Sequence, residues 1–178
     1  MKDNPSRRNF FKTSGIVAAG VLLFSVGATK YCMADTVAEY ELTNGTPDLR
    51  TFGNKHITIK GNVYDKTGTN TVHGAIVEIW HLSPGLKEYK HRAKVITNSK
   101  GEYKFITDLP DRDTGMMPRV YFSISHESSS YTTELLINDN GAHITGKHWE
   151  KNNQLGQKLF PKKEMLANHS IITFDFTI

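Results

Sequence analysis

From residue 56 onward, apolar and polar side chains alternate in short bursts with a period of two. Ile57, Ile59 and Val63 alternate with Thr58, Lys60 and Asn62, the pattern of a strand with one wet face. Residues 72–80 form a more continuous apolar, β-branched run that still spends a glutamate (Glu78) and ends on Trp80-His81. Runs at 93–97 and 102–107 are joined by Asn98-Ser99-Lys100-Gly101, a four-residue connection of turn formers that predicts a hairpin. Further β-rich runs follow at 119–125, 131–138 and 171–177, the last with Ile172, Phe174 and Phe176 on one face. Seven short strands with turn signals between them, and no strand–helix–strand rhythm, predict an all-β, seven- to eight-stranded sandwich.

Two stretches fall outside that pattern. Residues 35–55 are polar, carry Asn44-Gly45 and Thr46-Pro47, and read as an irregular arm. Residues 141–168 are the least regular part, with possible short helices at 148–154 and 162–167. A connection this long before a final strand is expected to cover a site or pack as an arm.

The start of the chain has a different character. Arg7 and Arg8 precede Asn9-Phe10-Phe11-Lys12 and an uncharged, largely apolar run at 15–28. This is the layout of a cleavable twin-arginine export signal, with cleavage after Ala28 or, preferably, Ala34. The apolar run falls short of the roughly 20 residues that span a bilayer core, so no stable membrane anchor is expected. The expected organisation is a leader at 1–34, an arm at 35–55 and a sandwich domain at 56–178. The expected partner is the export machinery, and the destination is the periplasm or the outside.

Removing the leader changes the charge. It takes five of 22 basic and one of 18 acidic residues, leaving 17 of each. The pI near 9.1 therefore belongs to the leader, and no basic surface argues for nucleic acid. The single cysteine, Cys32, lies before Ala34, so thiol and disulfide chemistry leave with the signal.

Familiar hydrolase, nucleotide-binding and paired-cysteine metal signatures are missing, which leaves histidine, tyrosine and carboxylate chemistry. The eight histidines are scattered, and only His81, Tyr89 and His91 lie close in sequence. A lone histidine is expected at the surface.

A longer pattern runs through the strands. Gly61, Val63, Asp65 and Gly68 precede Gly74-Ala75, then Val77-Glu78-Ile79-Trp80-His81, Gly85 and Tyr89. Arg92, Thr97, Gly101, Tyr103, Phe105, Thr107 and Pro110 follow, then Thr132-Thr133, Ile137-Asn138-Asp139 and Phe174-Asp175-Phe176. Over about 56–178 this resembles the core of the intradiol ring-cleavage dioxygenases, the catechol and protocatechuate enzymes. The Val-Glu-Ile-Trp-His segment is its specific part; the glycine–valine frame is shared with transthyretin-like sandwiches.

The resemblance implies a non-haem Fe(III) held by two tyrosines and two histidines, with Tyr89 as the first tyrosine. Phenolates are hard donors suited to ferric iron. The second tyrosine would follow Pro110, where this chain has Asp111, Arg112 and Asp113. The paired histidines would fall at Val120 and Phe122, and an arginine before Pro118 is replaced by Met117. A site rebuilt from Tyr89, Tyr121, His81, His91 or His126 is the remaining route to iron. Trp80, His81, His91 and Tyr121 are the candidates to line a pocket.

Three functional expectations follow. The preferred one is an exported intradiol dioxygenase-like protein with a degenerate or altered metal site and a binding or accessory role, taking a small aromatic ligand. The second is an active Fe(III) enzyme that cleaves a catechol-type ring with O2. The third is a transthyretin-like envelope or carbohydrate-binding module with Trp80 or Trp149 as a stacking platform.

Overall fold

The computed structural model describes residues 42–167 and 169–178. The leader, both cleavage positions, Arg7, Arg8 and Cys32 lie outside the described residues.

Two mixed sheets face each other. The first runs in the order β1 (Leu42–Thr43), β5 (His91–Ile96), β4 (Ile76–His81), β7 (Arg119–His126), β8 (Ser129–Ile137), β9 (Ala142–Ile144). The second runs β10 (Lys162–Met165), β11 (His169–Thr173), β3 (His56–Tyr64), β6 (Glu102–Asp108), β2 (Asp48–Leu49), with β12 (Phe176–Thr177) also paired to β3. The all-β sandwich expected from the alternation is present, with short extra strands at its edges.

The two inner faces make one core. Ile57, Ile59, Phe105, Ile172, Phe174 and Phe176 meet Val77, Ile79, Val120, Phe122, Ile124 and Leu135, all buried. Phe122 sits at its centre, with ring centroids 5.4 Å from Phe174 and 5.2 Å from Phe176. Burying such aromatic area is the main source of stability in a domain without disulfides. Gly61 is required where the chain breaks between β11 and β12, because a Cβ there would collide with the backbone carbonyl of Phe174.

Several expectations need correction. The arm is not wholly irregular: β1 pairs in parallel with β5 and β2 with β6, so one segment covers the same-side edges of both sheets. Residues 162–165 are not helical. They form edge strand β10, antiparallel to β11 with Lys163 opposite Ile172, and sheet pairing overrides a weak local preference. The second strand starts at Ile76 rather than 72, because Gly74 takes φ 79° and turns the chain into the sheet.

The helix expected near 148 is present as α1 (Gly146–Asn152), capped by the Thr145 hydroxyl accepting from the His148 amide at 3.3 Å. It is followed by a 3-10 segment at Asn153–Leu159. Helix α1 turns His148 and Asn152 inward. Asn152 Oδ1 accepts from the Thr177 amide at 2.7 Å and from the Tyr131 hydroxyl at 3.1 Å, which ties α1 to β12 and β8. No helix among the described residues is long and apolar enough to cross a membrane.

Candidate functional site

Strand β4 ends on two adjacent residues that head opposite rows of the first sheet. Register places Arg92, Trp80, Tyr121 and Glu134 side by side across β5, β4, β7 and β8. One residue further on, His91, His81, Val120 and Leu135 form the next row. Successive strand residues point to opposite faces, so the first row looks outward and the second into the sandwich. The four expected pocket residues are thus divided, Trp80 and Tyr121 outside, His81 and His91 inside.

The outer row is aromatic and charged. Trp80 and Tyr121 stack with centroids 5.7 Å apart and planes 12° from parallel. Tyr89, on the loop between β4 and β5, meets Tyr121 edge-on at 6.0 Å. The Arg92 guanidinium lies 5.9 Å from the Trp80 ring centroid and is paired with Glu78. Arg119 Nη1 reaches Glu134 Oε2 at 2.7 Å on the other flank. Trp80 and Tyr121 are half-buried and Tyr89 is 39% exposed, so part of each ring remains open to solvent.

The inner row is closed. His81 is fully buried, its Nδ1–H donating to the Leu82 carbonyl at 2.9 Å and its Nε2 accepting from the Thr107 hydroxyl at 2.7 Å. Burial lowers its pKa to about 4, which keeps it neutral. Its ring stacks on His91 at 4.7 Å. His91 bonds Ser83 Oγ through Nδ1 at 2.7 Å and Asp108 Oδ2 through Nε2 at 3.1 Å. Asp108 Oδ2 also accepts from the Thr51 amide at 3.0 Å, the Thr51 hydroxyl at 2.5 Å and Asn54 at 3.3 Å. Burial alone would raise the Asp108 carboxyl, but the hydrogen bonds from Thr51, Asn54 and His91 outweigh it and hold the group below the ordinary carboxylate value.

Ser83, His91 and Asp108 are the residue types of a hydrolytic triad within bonding distance. Their placement argues for a latch instead. Ser83 is 1% exposed, and its hydroxyl oxygen already accepts from the Lys90 amide at 3.1 Å, so no substrate carbonyl can reach it. With Ser83 N donating to the Glu88 carbonyl at 2.8 Å, the network fastens the loop that carries Tyr89. Asp108, Ser83 and Thr51 were not legible as site residues. Their contacts join the arm, a loop and two sheets, and no local pattern announces such a meeting. The expectation of surface histidines also fails for His81, His91 and His148, because each is buried.

The donors present do not fit a ferric site of the kind the resemblance implies. Val120 and Phe122, at the two histidine positions, are fully buried in the apolar core. All four ring nitrogens of His81 and His91 already have protein partners. His126 lies at the opposite end of β7 from Arg119, five residues past Tyr121, or about 17 Å along a strand. Asp111 and Asp113 line a very small cavity with Tyr89, Tyr121, Met116, Met117 and Arg119. Burial, together with the neighbouring Tyr89, pushes the Tyr121 hydroxyl up to about 12, away from phenolate. Among the described residues, no three histidine, cysteine or carboxylate side chains converge as a metal site.

Comparisons with known proteins bear on the architecture. No family model matches the chain, and no curated protein matches it in sequence. Solved structures do match. The dioxygenase domain of a dioxygenase carbohydrate-binding protein fusion from Streptomyces sp. SirexAA-E superposes with TM-score 0.56 at 15% identity, covering 80% of this chain and 94% of that one. Chlorocatechol 1,2-dioxygenase from Pseudomonas putida gives 0.58 at 18% identity over 80% of this chain and 68% of that one. An intradiol ring-cleavage dioxygenase from Tetranychus urticae gives 0.57 at 14% identity, covering 80% and 88%. Identities this low speak to architecture alone, and what they establish is that this chain has an intradiol dioxygenase-like β-sandwich fold.

Proposed function

We propose that this chain is an exported binding or accessory module that uses an intradiol dioxygenase-like sandwich without its ferric ring-cleavage chemistry. It takes a small planar, hydroxylated ring against the outer face of β4 and β7. The observation that carries this reading is the contiguous set Trp80, Tyr121 and Tyr89, flanked by the Arg92–Glu78 and Arg119–Glu134 pairs. Aromatic faces supply stacking area at little conformational cost, and the flanking charged groups offer hydrogen bonds to ring hydroxyls. The twin-arginine leader supports delivery to the periplasm or beyond, where the module would meet its ligand.

Two measurements test this. In a Trp149→Phe background, catechol should quench the remaining Trp80 fluorescence saturably, and Tyr121→Ala should weaken that quenching at least tenfold in catechol concentration. After iron loading, the protein should show no visible tyrosinate-to-iron charge-transfer band and consume no O2 with catechol. A coloured protein that loses its band in Tyr89→Phe would establish the dioxygenase reading in place of this one. Quenching by simple sugars but not by catechol would establish the carbohydrate-binding reading. Export is tested separately, since Arg7→Lys with Arg8→Lys should leave the chain in the cytoplasmic fraction.

A further inference from the structure

The second sheet carries an unrelated pair of histidines on its own outer face. His56 opens β3 and His169 opens β11; the strands are parallel, and the two residues are direct register partners. Residues opposite each other on neighbouring strands project from the same face. Their imidazoles accordingly lie side by side, centroids 5.2 Å apart and planes 9° from parallel. Both are partly exposed, and among the described residues neither ring hydrogen-bonds to a protein group. This is unlike His81, His91 and His148, whose rings are buried and bonded.

A cavity of about 300 Å³ opens on the core side of the same strands, lined by Ile57, Leu109, Asp139, Lys163, Met165 and Ser170. Lys163 directs its ammonium to the Asn138 and Asp139 carbonyls at 2.6 and 3.3 Å. Register puts Lys163 on the Ile172 side of the sheet, so its ammonium points away from the face that carries the two imidazoles.

We propose that His56 and His169 form a two-imidazole chelate for a divalent transition-metal ion, with water in the remaining positions. Metal–imidazole bonds of about 2.0–2.1 Å require the two donor nitrogens to come within roughly 4.2 Å. The spacing of neighbouring strands, about 4.8 Å, brings the rings near that limit, and rotation of both partly exposed side chains, turning the parallel rings edge-on toward one point, closes the difference. Imidazole donors of this number favour Cu2+ over Ni2+ and Zn2+. The site lies on the other sheet from Trp80, so it neither needs nor disturbs the ring-binding face.

The test is calorimetric titration of the full chain with CuCl2, NiCl2 and ZnCl2, paired with electron paramagnetic resonance of the Cu2+ form. The expected result is a Cu2+ site with nitrogen hyperfine structure, in affinity order Cu2+ first. His56→Ala and His169→Ala should each weaken it at least tenfold. The double variant should be little worse than either single one, because a chelate is lost with its first donor. His73→Ala should leave the site intact. His56→Gln and His169→Gln retain side-chain bulk and should reproduce the losses, which separates lost ligation from altered folding. Copper binding unchanged in either histidine variant, or small additive losses from both, would overturn the proposal. Catechol quenching of Trp80 should be the same with and without Cu2+, so failure here leaves the ring-binding reading standing and the reverse also holds.

Discussion

Trp80 and His81 are neighbours in sequence and occupy opposite environments. The inner face at this end of the sheet is dry, and each histidine there is bonded at both ring nitrogens. The outer face holds aromatic rings of comparable size that are only half covered. The inner groups work on the protein itself, fastening the arm, the Tyr89 loop and β6 together. The outer groups retain surface to offer another molecule. A buried polar network must be satisfied to be tolerated, and once satisfied it has no bonding capacity left for a metal or a substrate.

The sharpest way to break this contrast is to put an imidazole where the family pattern would have one. Phe122→His should destabilise the fold by about 4 kcal/mol, combining lost ring volume with an unpartnered buried polar group. Urea denaturation should show a lower midpoint at similar slope, and no iron site should appear.

Acid should attack the inner side next. Burial lowers His81 and His148 from 6.5 to about 4. Between those values the unfolded chain binds more protons than the folded one. Their contribution is therefore complete above about pH 6.5 and is lost as pH falls toward 4, by about 2 kcal/mol for each group at pH 5. Asp175, raised by burial, acts in the opposite sense above its ordinary value and blunts part of the loss. His148→Leu should flatten the slope between pH 7 and pH 5, since His148 Nε2 has no partner to lose.

Cutting the latch should have a smaller effect. His91→Ala leaves the Ser83 hydroxyl without its acceptor and removes one donor from Asp108, at a cost of about 2 kcal/mol. The loop at 82–90 should then be cleaved faster by protease under native conditions. On the outer face, Trp80→Ala should change stability by no more than about 1 kcal/mol, the cost of a half-covered side chain, while abolishing ring binding. Equal destabilisation by His91→Ala and Trp80→Ala would erase the distinction between the faces.

Much of the frame was readable in advance because strand alternation is local. The alternation of Ile57 and Ile59 with Thr58 and Lys60, and the turn at 98–101, depend on residues a few positions apart. Residues 162–165 were not readable, since Lys-Lys-Glu-Met becomes a strand only when β11 offers its edge. The site was half readable. Val120 and Phe122 announced that two expected metal donors were missing, and the structure supplied where those positions point. That Trp80 and His81 serve different faces follows from period two, but which face is the core depends on what packs against the sheet.

By itself, then, the sequence determined the strands, their turns, the intradiol dioxygenase-like frame and the absence of histidine at 120 and 122. Only the tertiary structure decided that Thr51, Ser83, His91 and Asp108 share one network and that His56 lies beside His169. Those meetings are set by sheet pairing and by the opposition of two sheets. Both join residues remote in sequence, to which periodicity and turn chemistry, each acting over a few residues, are blind.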